Sequence, residues 1–287
     1  SQNTTGLDLD ASSIVKVQLI MMAKDKELLP EFKTLWSLIL DKCKEKSQNI
    51  GYMLGDYYKA RTNNMIDSRG LLHGWENNLL PKINSKKKFE TLMEELTQFV
   101  TAWSDNFFTK NGHARLNDLV KMRVAVQFAP MVAAGSVKTG KGKKLSKTQY
   151  KTLMKCVEFA HIHQKLGGNT DSNAMKKVYV QWMHWLYRAS IGKLTFDLAI
   201  AEIVKVAKLN KNPSRNSFVD SFVYNNTLDI NSSRFLLKQV EQVLSSNESV
   251  PNAELQVEHI CPKAHSGDSD WDHVTVAWDY DNDKQWL

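Results

Sequence analysis

The chain has 287 residues with 42% hydrophobic and 24% charged residues, a composition that excludes a disordered chain and is large enough for a core without metal or disulfide staples. Gly (13) and Pro (6) are scarce, which disfavours a turn-rich all-β protein. The net charge is +7; the stretch 252–287 has eight acids against two bases, so the first 251 residues carry +13, a balance that hints at a polyanionic partner.

In chain order, Ser1–Asp10 is polar and lacks the apolar core of a signal peptide. The missing initiator Met suggests an excised fragment. Ile14, Val17, Ile20 and Met21 predict a helix over Ser12–Lys26, with Ser12 or Ser13 as its cap. Phe32, Leu35, Leu38, Ile39 and Cys43 predict a second over Glu31–Lys46. Lys87–Lys110 reads as a long helix ended by Asn111-Gly112. Arg115–Val137 reads as another, with Pro130 as a kink or break. Ser146–Leu166 starts on a capping Ser and stops at Gly167-Gly168. Asp171–Ile191 is rich in aromatics, and Thr195–Leu209 is capped by Thr195. Shorter helices are expected over Phe218–Tyr224 and Ser233–Leu244. After Ser245 the pattern changes, and Glu254–Cys261 reads as a short strand. The expected organisation is a helical scaffold over 1–247 and a different unit over 248–287.

Between the helices, Lys138, Lys141, Lys143, Lys144, Lys147, Lys151 and Lys155 fall within eighteen residues that contain no acid. The bland reading is a basic linker. The functional reading is a phosphate-backbone contact, with Lys138, Lys141, Lys143, Lys144 and Lys147 as the DNA-binding residues. The same segment, Gly135–Gly142, nearly spells a P-loop. It has Gly where the motif needs Ser or Thr, and it follows a helix where the motif follows a strand, so nucleotide binding is rejected.

Cys43, Cys156 and Cys261 form no CxxC pair, so neither a zinc knuckle nor a disulfide framework is expected, and a reducing cytoplasm fits. His161 and His163 lie about 200° apart on a helix and cannot share a metal. His184, with Trp182, Trp185 and Tyr187, reads as core packing rather than a base-stacking platform. Tyr57-Tyr58, beside Lys59 and Arg61, reads as a helix–helix contact. No apolar run reaches the length of a membrane span.

Glu258 and His259 stand on the expected strand in Gln256-Val-Glu-His-Ile-Cys-Pro262, with side chains to opposite sides. One can then approach a divalent cation while the other, an imidazole titrating near pH ~6.5, takes a proton from water.

The run Leu236–Leu244, followed by Val257-Glu-His-Ile-Cys-Pro262, resembles the C-terminal nuclease half of GmrSD-type modification-dependent restriction endonucleases and of SspE-like phage-defence effectors. The specific match covers about thirty residues, Ser233–Pro262. The resemblance implies a mainly α fold, a multi-helix scaffold followed by the beginning of a ββα-metal (HNH) unit. It implies a metal-dependent DNA endonuclease of a bacterial antiviral restriction system, with Mg²⁺ or Mn²⁺ as cofactor; the alternative reading is a non-catalytic helical module whose basic face binds DNA or a partner subunit. His259 would be the general base, Glu258 a metal ligand, and Pro262 the end of the strand. A ParB-like nucleotidase half, common in the family, would be a partner domain. The family pattern continues into a second strand and a helix that supply the rest of the metal site. The chain ends at Trp286-Leu287, where that strand would begin, so this stretch alone is expected to be inactive.

Overall fold

A computed structural model describes residues 10–67, 69–108, 125–140, 142–166, 172–209, 235 and 237. The described residues are overwhelmingly helical and include no strand. The chain divides into two compact units, one formed by 1–157 with 173–206 and the other by 158–172 with 207–287. The first unit holds almost all the described residues.

Helix α1 (Ala11–Asp25) is capped by Asp10, whose carboxylate accepts from the Ser13 amide at 2.9 Å, and not by Ser12 or Ser13. A carboxylate reaches further than a hydroxyl and complements the positive helix end, so the cap moves upstream. Ser12, Val15, Leu19 and Ala23 face inward at spacings of three and four, so the buried face is not the expected stripe of Ile14, Val17, Ile20 and Met21, of which Val17 and Met21 are exposed. Helix α2 (Leu29–Lys42) starts with Pro30 at its first turn, where a missing N–H costs nothing, and buries Phe32, Leu35, Trp36 and Ile39. It stops short of Lys46 because Lys44 and Glu45 turn to positive φ, and the Glu45 amide reaches the Leu40 carbonyl at 2.7 Å.

The sequence reading missed α3 (Ser47–Thr62), which buries Ile50, Met53, Leu54, Tyr57, Tyr58 and Ala60. The spacing is helical, but Gly51 and Gly55 in the interior cost roughly 1 kcal/mol each relative to Ala and weaken the local signal. It ends at Asn63, which takes the left-handed conformation (φ 60°). Helix α4 (Leu71–Gly74) runs into a π turn (Trp75–Leu79) and a 3-10 turn (Leu80–Lys82). This stretch was also missed, being too short and irregular to show a period.

Helix α5 (Lys86–Phe107) is capped by the Ser85 hydroxyl and is the spine of the first unit. Phe89, Leu92, Leu96, Phe99, Val100 and Trp103 form its buried stripe. It packs against α2, α3 and α6 (Ala125–Ser136). Helix α6 is apolar all round, with every residue from Phe128 to Gly135 buried, so it sits inside the unit. Pro130 lies inside α6, within a continuous helix. Helices α7 (Lys147–Leu166), α8 (Ser172–Ser190) and α9 (Phe196–Leu209) follow. Helix α8 buries Tyr179, Trp182 and Tyr187. It closes at Gly192 (φ 77°), whose left-handed backbone lets the Lys193 amide bond the Arg188 carbonyl at 2.8 Å. The Thr195 hydroxyl accepts from the Leu198 amide at 3.3 Å, as expected of the α9 cap. Each large side chain buried in this core contributes about 1.5–3 kcal/mol.

The expected boundary near 248, the strand Glu254–Cys261 and the helix Phe218–Tyr224 lie outside the described residues. So do residues 115–124 of the expected helix before Pro130. Of Ser233–Leu244 only Phe235 and Leu237 are described, both helical. None of the described helices is long and apolar enough to cross a membrane.

Candidate nucleic-acid interface

The lysine segment joins α6 to α7, and its backbone is held at three points. The Gln98 side chain on α5 clamps Lys138 from both sides: its Oε1 accepts from the Lys138 amide at 2.8 Å, and its Nε2 donates to the Lys138 carbonyl at 3.1 Å. The Leu145 amide donates to the Gly135 carbonyl at 3.0 Å, closing the loop onto the end of α6. Gly142 lies so close to α8 that an added Cβ would sit 1.7 Å from the Ser190 carbonyl oxygen. The missing P-loop hydroxyl at this position therefore has a packing cause, and the segment follows a helix, as expected.

Ser146 and Gln149 then form a capping box on α7. The Ser146 hydroxyl accepts from the Gln149 amide at 3.3 Å, and Gln149 Oε1 accepts from the Ser146 amide at 3.0 Å. The far end of Gln149 donates to Asp197 on α9 at 2.9 Å, so that carboxylate is occupied. Lys138, Lys143, Lys144 and Lys147 are all exposed on this framed loop and first turn. Among the described residues, none of them is in a salt bridge. The inner side of the first half of α7 is anchored by Leu153, Met154 and Val157, and by Tyr150, whose hydroxyl donates to Asn106 at 2.9 Å. Lys141, Glu258 and His259 lie outside the described residues.

The chemistry of this face is simple. It presents unneutralised ammonium groups on a fixed backbone, and such groups attract phosphates by releasing condensed counterions. The described loop residues, 138–140 and 142–147, include no His, Cys, Asp or Glu.

A second polar centre lies in the core and was not read from the sequence. Glu95, 3% exposed, stands among the apolar positions of α5. Its Oε2 accepts from Tyr57 at 2.6 Å, from Tyr187 at 2.9 Å and from Arg61 Nη1 at 3.1 Å. Arg61 Nη1 also donates to the Tyr57 hydroxyl at 2.7 Å. Burial, and then the Glu95 charge, push both tyrosines above their ordinary range, which keeps their hydroxyls protonated as donors. This network ties α3, α5 and α8 together. The signal for it was present: Glu95 falls between Leu92, Leu96 and Phe99 on an apolar face. Nearby, Asp56 receives Lys59 at 3.0 Å and the Trp103 indole at 3.2 Å, and burial raises its carboxyl.

His184 bonds the Ala60 carbonyl at 2.9 Å. A carbonyl only accepts, so His184 Nδ1 carries the proton. Tyr57 and Tyr58 are buried in helix packing, and so are Trp182 and Tyr187, as expected, together with Tyr179; Trp185 is half-buried. Burial pushes the Cys43 thiol up to about 12, making it a packing residue. No group of three His, Cys, Asp or Glu able to hold a metal is present among the described residues. A cleft of about 480 Å³ lies between the starts of α1 and α3 and the loop before α4. Its polar groups are largely engaged: Asp10 caps α1, Lys59 pairs with Asp56, and the Tyr52 hydroxyl accepts from Gln48 at 2.8 Å.

A scan against protein-family models finds no match for the chain, and a search of curated proteins finds no similar sequence.

Proposed function

We propose that the chain is the C-terminal part of a metal-dependent, HNH-type DNA endonuclease of a bacterial anti-phage restriction system, acting on foreign DNA in the cytoplasm. The observation that carries the DNA-directed part is the framed loop on which Lys138, Lys143, Lys144 and Lys147 are exposed and, among the described residues, in no salt bridge. The nuclease part rests on the Glu258-His259-Ile-Cys-Pro262 pattern. A carboxylate oxygen is a suitable donor for a hard cation such as Mg²⁺ or Mn²⁺, so Glu258 fits the role of ligand. Such a cation, when bound, supplies Lewis-acid polarisation of the scissile phosphate. His259 accepts the proton of the attacking water, and the lysines hold the backbone in place. A ParB-like nucleotidase domain is the proposed partner unit.

The test of the DNA-directed part is a binding titration at several salt concentrations. Replacing Lys141, Lys143, Lys144 and Lys147 together by Glu is expected to lower affinity for duplex DNA and flatten its salt dependence. Affinity that stays unchanged at low and moderate salt removes this segment from the interface.

A further inference from the structure

The lysine row continues beyond the loop. Lys147, Lys151 and Lys155 recur every four residues along α7, and all three are exposed. The fourth exposed residue between Lys147 and Val157 is Thr148. Four residues of helix advance about 6 Å and turn about 40° past a full turn, so the three lysines form a gently winding ladder about 12 Å long along the axis. Leu153, Met154 and Val157 fix the opposite side of the helix in the core. None of the three lysines is in a salt bridge among the described residues.

We infer that this ladder is a tracking surface for one strand of duplex DNA, with Lys151 and Lys155 as additional phosphate-contacting residues. The inference deepens the proposed function and rests on its reading of the partner as DNA. Duplex DNA presents roughly one charge per 1.7 Å of axis, so about 12 Å carries about seven phosphates, three or four on each strand. Three lysines over that length match the count of a single strand, and their winding lets the row follow a curved backbone. The exposed positions also select among polyanions. A membrane-surface helix needs apolar side chains beside its basic ones to enter the bilayer. This face offers only lysine and threonine between Lys147 and Val157, with one partly exposed aromatic, Phe159, a turn beyond Lys155, too little apolar surface to enter a bilayer. The alternation is regular and free of acids, which suits an evenly spaced phosphate chain.

The experiment measures the slope of log affinity against log salt for a duplex oligonucleotide. It compares the wild-type protein with Lys151→Gln/Lys155→Gln and with Lys86→Gln/Lys87→Gln. The second pair is also exposed, at the start of α5, and removes the same charge elsewhere. The ladder variant is expected to lower the slope by about 1.8, close to 0.9 per lysine. Between 50 and 200 mM salt the wild type should then lose about tenfold more affinity than the variant. The control pair should leave the slope unchanged. Equal effects from the two pairs would mean that net charge alone is read, and overturn the ladder. Wild-type binding with neither slope altered would also overturn the ladder while leaving the DNA reading standing. Absence of salt-dependent DNA binding by the wild type overturns both. Tighter capture by phosphatidylserine vesicles than by DNA, lost in the ladder variant, would overturn the strand-tracking assignment in favour of a membrane surface.

Discussion

Glu95 gathers two tyrosine hydroxyls and one guanidinium on a single carboxylate oxygen inside the core. Removing one member of a buried charged network leaves the others unsatisfied, which costs more than the network's net worth. Glu95→Ala is expected to destabilise the protein by about 3–5 kcal/mol in a urea titration, and Glu95→Gln, which keeps an acceptor oxygen, by clearly less. Equal losses for the two would show that packing, and not the acceptor, is what matters. His184 adds a pH-dependent contribution. Burial holds it below its ordinary range, the Arg188 and Lys193 charges add to this, and the bond to Ala60 opposes it. A folded value below the unfolded one means that the unfolded chain takes up the proton first. Stability from this site is therefore fully present above pH ~6.5 and is lost as pH falls from there toward the folded value, by at most about 1.4 kcal/mol per pH unit before solvent screening. Thermal melts between pH 7.5 and 5.5 should fall more steeply for the wild type than for His184→Gln. Parallel curves would remove His184 as a source of acid sensitivity.

At the scale of elements, the lysine loop is positioned by neighbours that carry no charge. Gly142→Ala would drive a Cβ into the Ser190 carbonyl, a backbone atom that cannot rotate away, so loop and α8 must separate. The expected cost is about 1–3 kcal/mol. Gln98→Ala is expected to speed hydrogen exchange at the Lys138 amide while leaving the interior of α5 protected. Unchanged exchange at Lys138 would show that the loop holds itself. These contacts could not be read from the chain, because Gln98 and Lys138 are forty residues apart. What could be read followed the apolar period: α1, α2, α5, α7, α8 and α9 were expected close to where they stand. Helix α3 has the same period in Ile50, Met53, Leu54, Tyr57 and Tyr58, but two interior glycines obscured it. The start of α1 was misplaced, because Asp10, two residues before the first of the expected serines, caps it through the Ser13 amide. The Ser146 and Thr195 caps were legible because each hydroxyl stands directly before its helix.

For the whole molecule, helical architecture and charge asymmetry were both legible in composition and spacing. The lysine face was legible too, as an acid-free run, although its continuation along α7 needed the exposed positions at 151 and 155. The buried Glu95 network was not, since one glutamate among leucines does not name its partners. The nuclease reading rests on the match over Ser233–Pro262, whose chemistry-bearing part is Val257–Pro262, and so depends most on His259. Metal-dependent cleavage of duplex DNA by the full-length protein, wild type beside His259→Ala, tests it most directly. The account predicts Mg²⁺- or Mn²⁺-dependent cutting by the wild type. It predicts a loss of roughly 10²–10⁴-fold or more in the variant, with melting temperature and DNA affinity nearly unchanged. Cleavage that persists in His259→Ala while its melting temperature falls would contradict it and make His259 a structural residue.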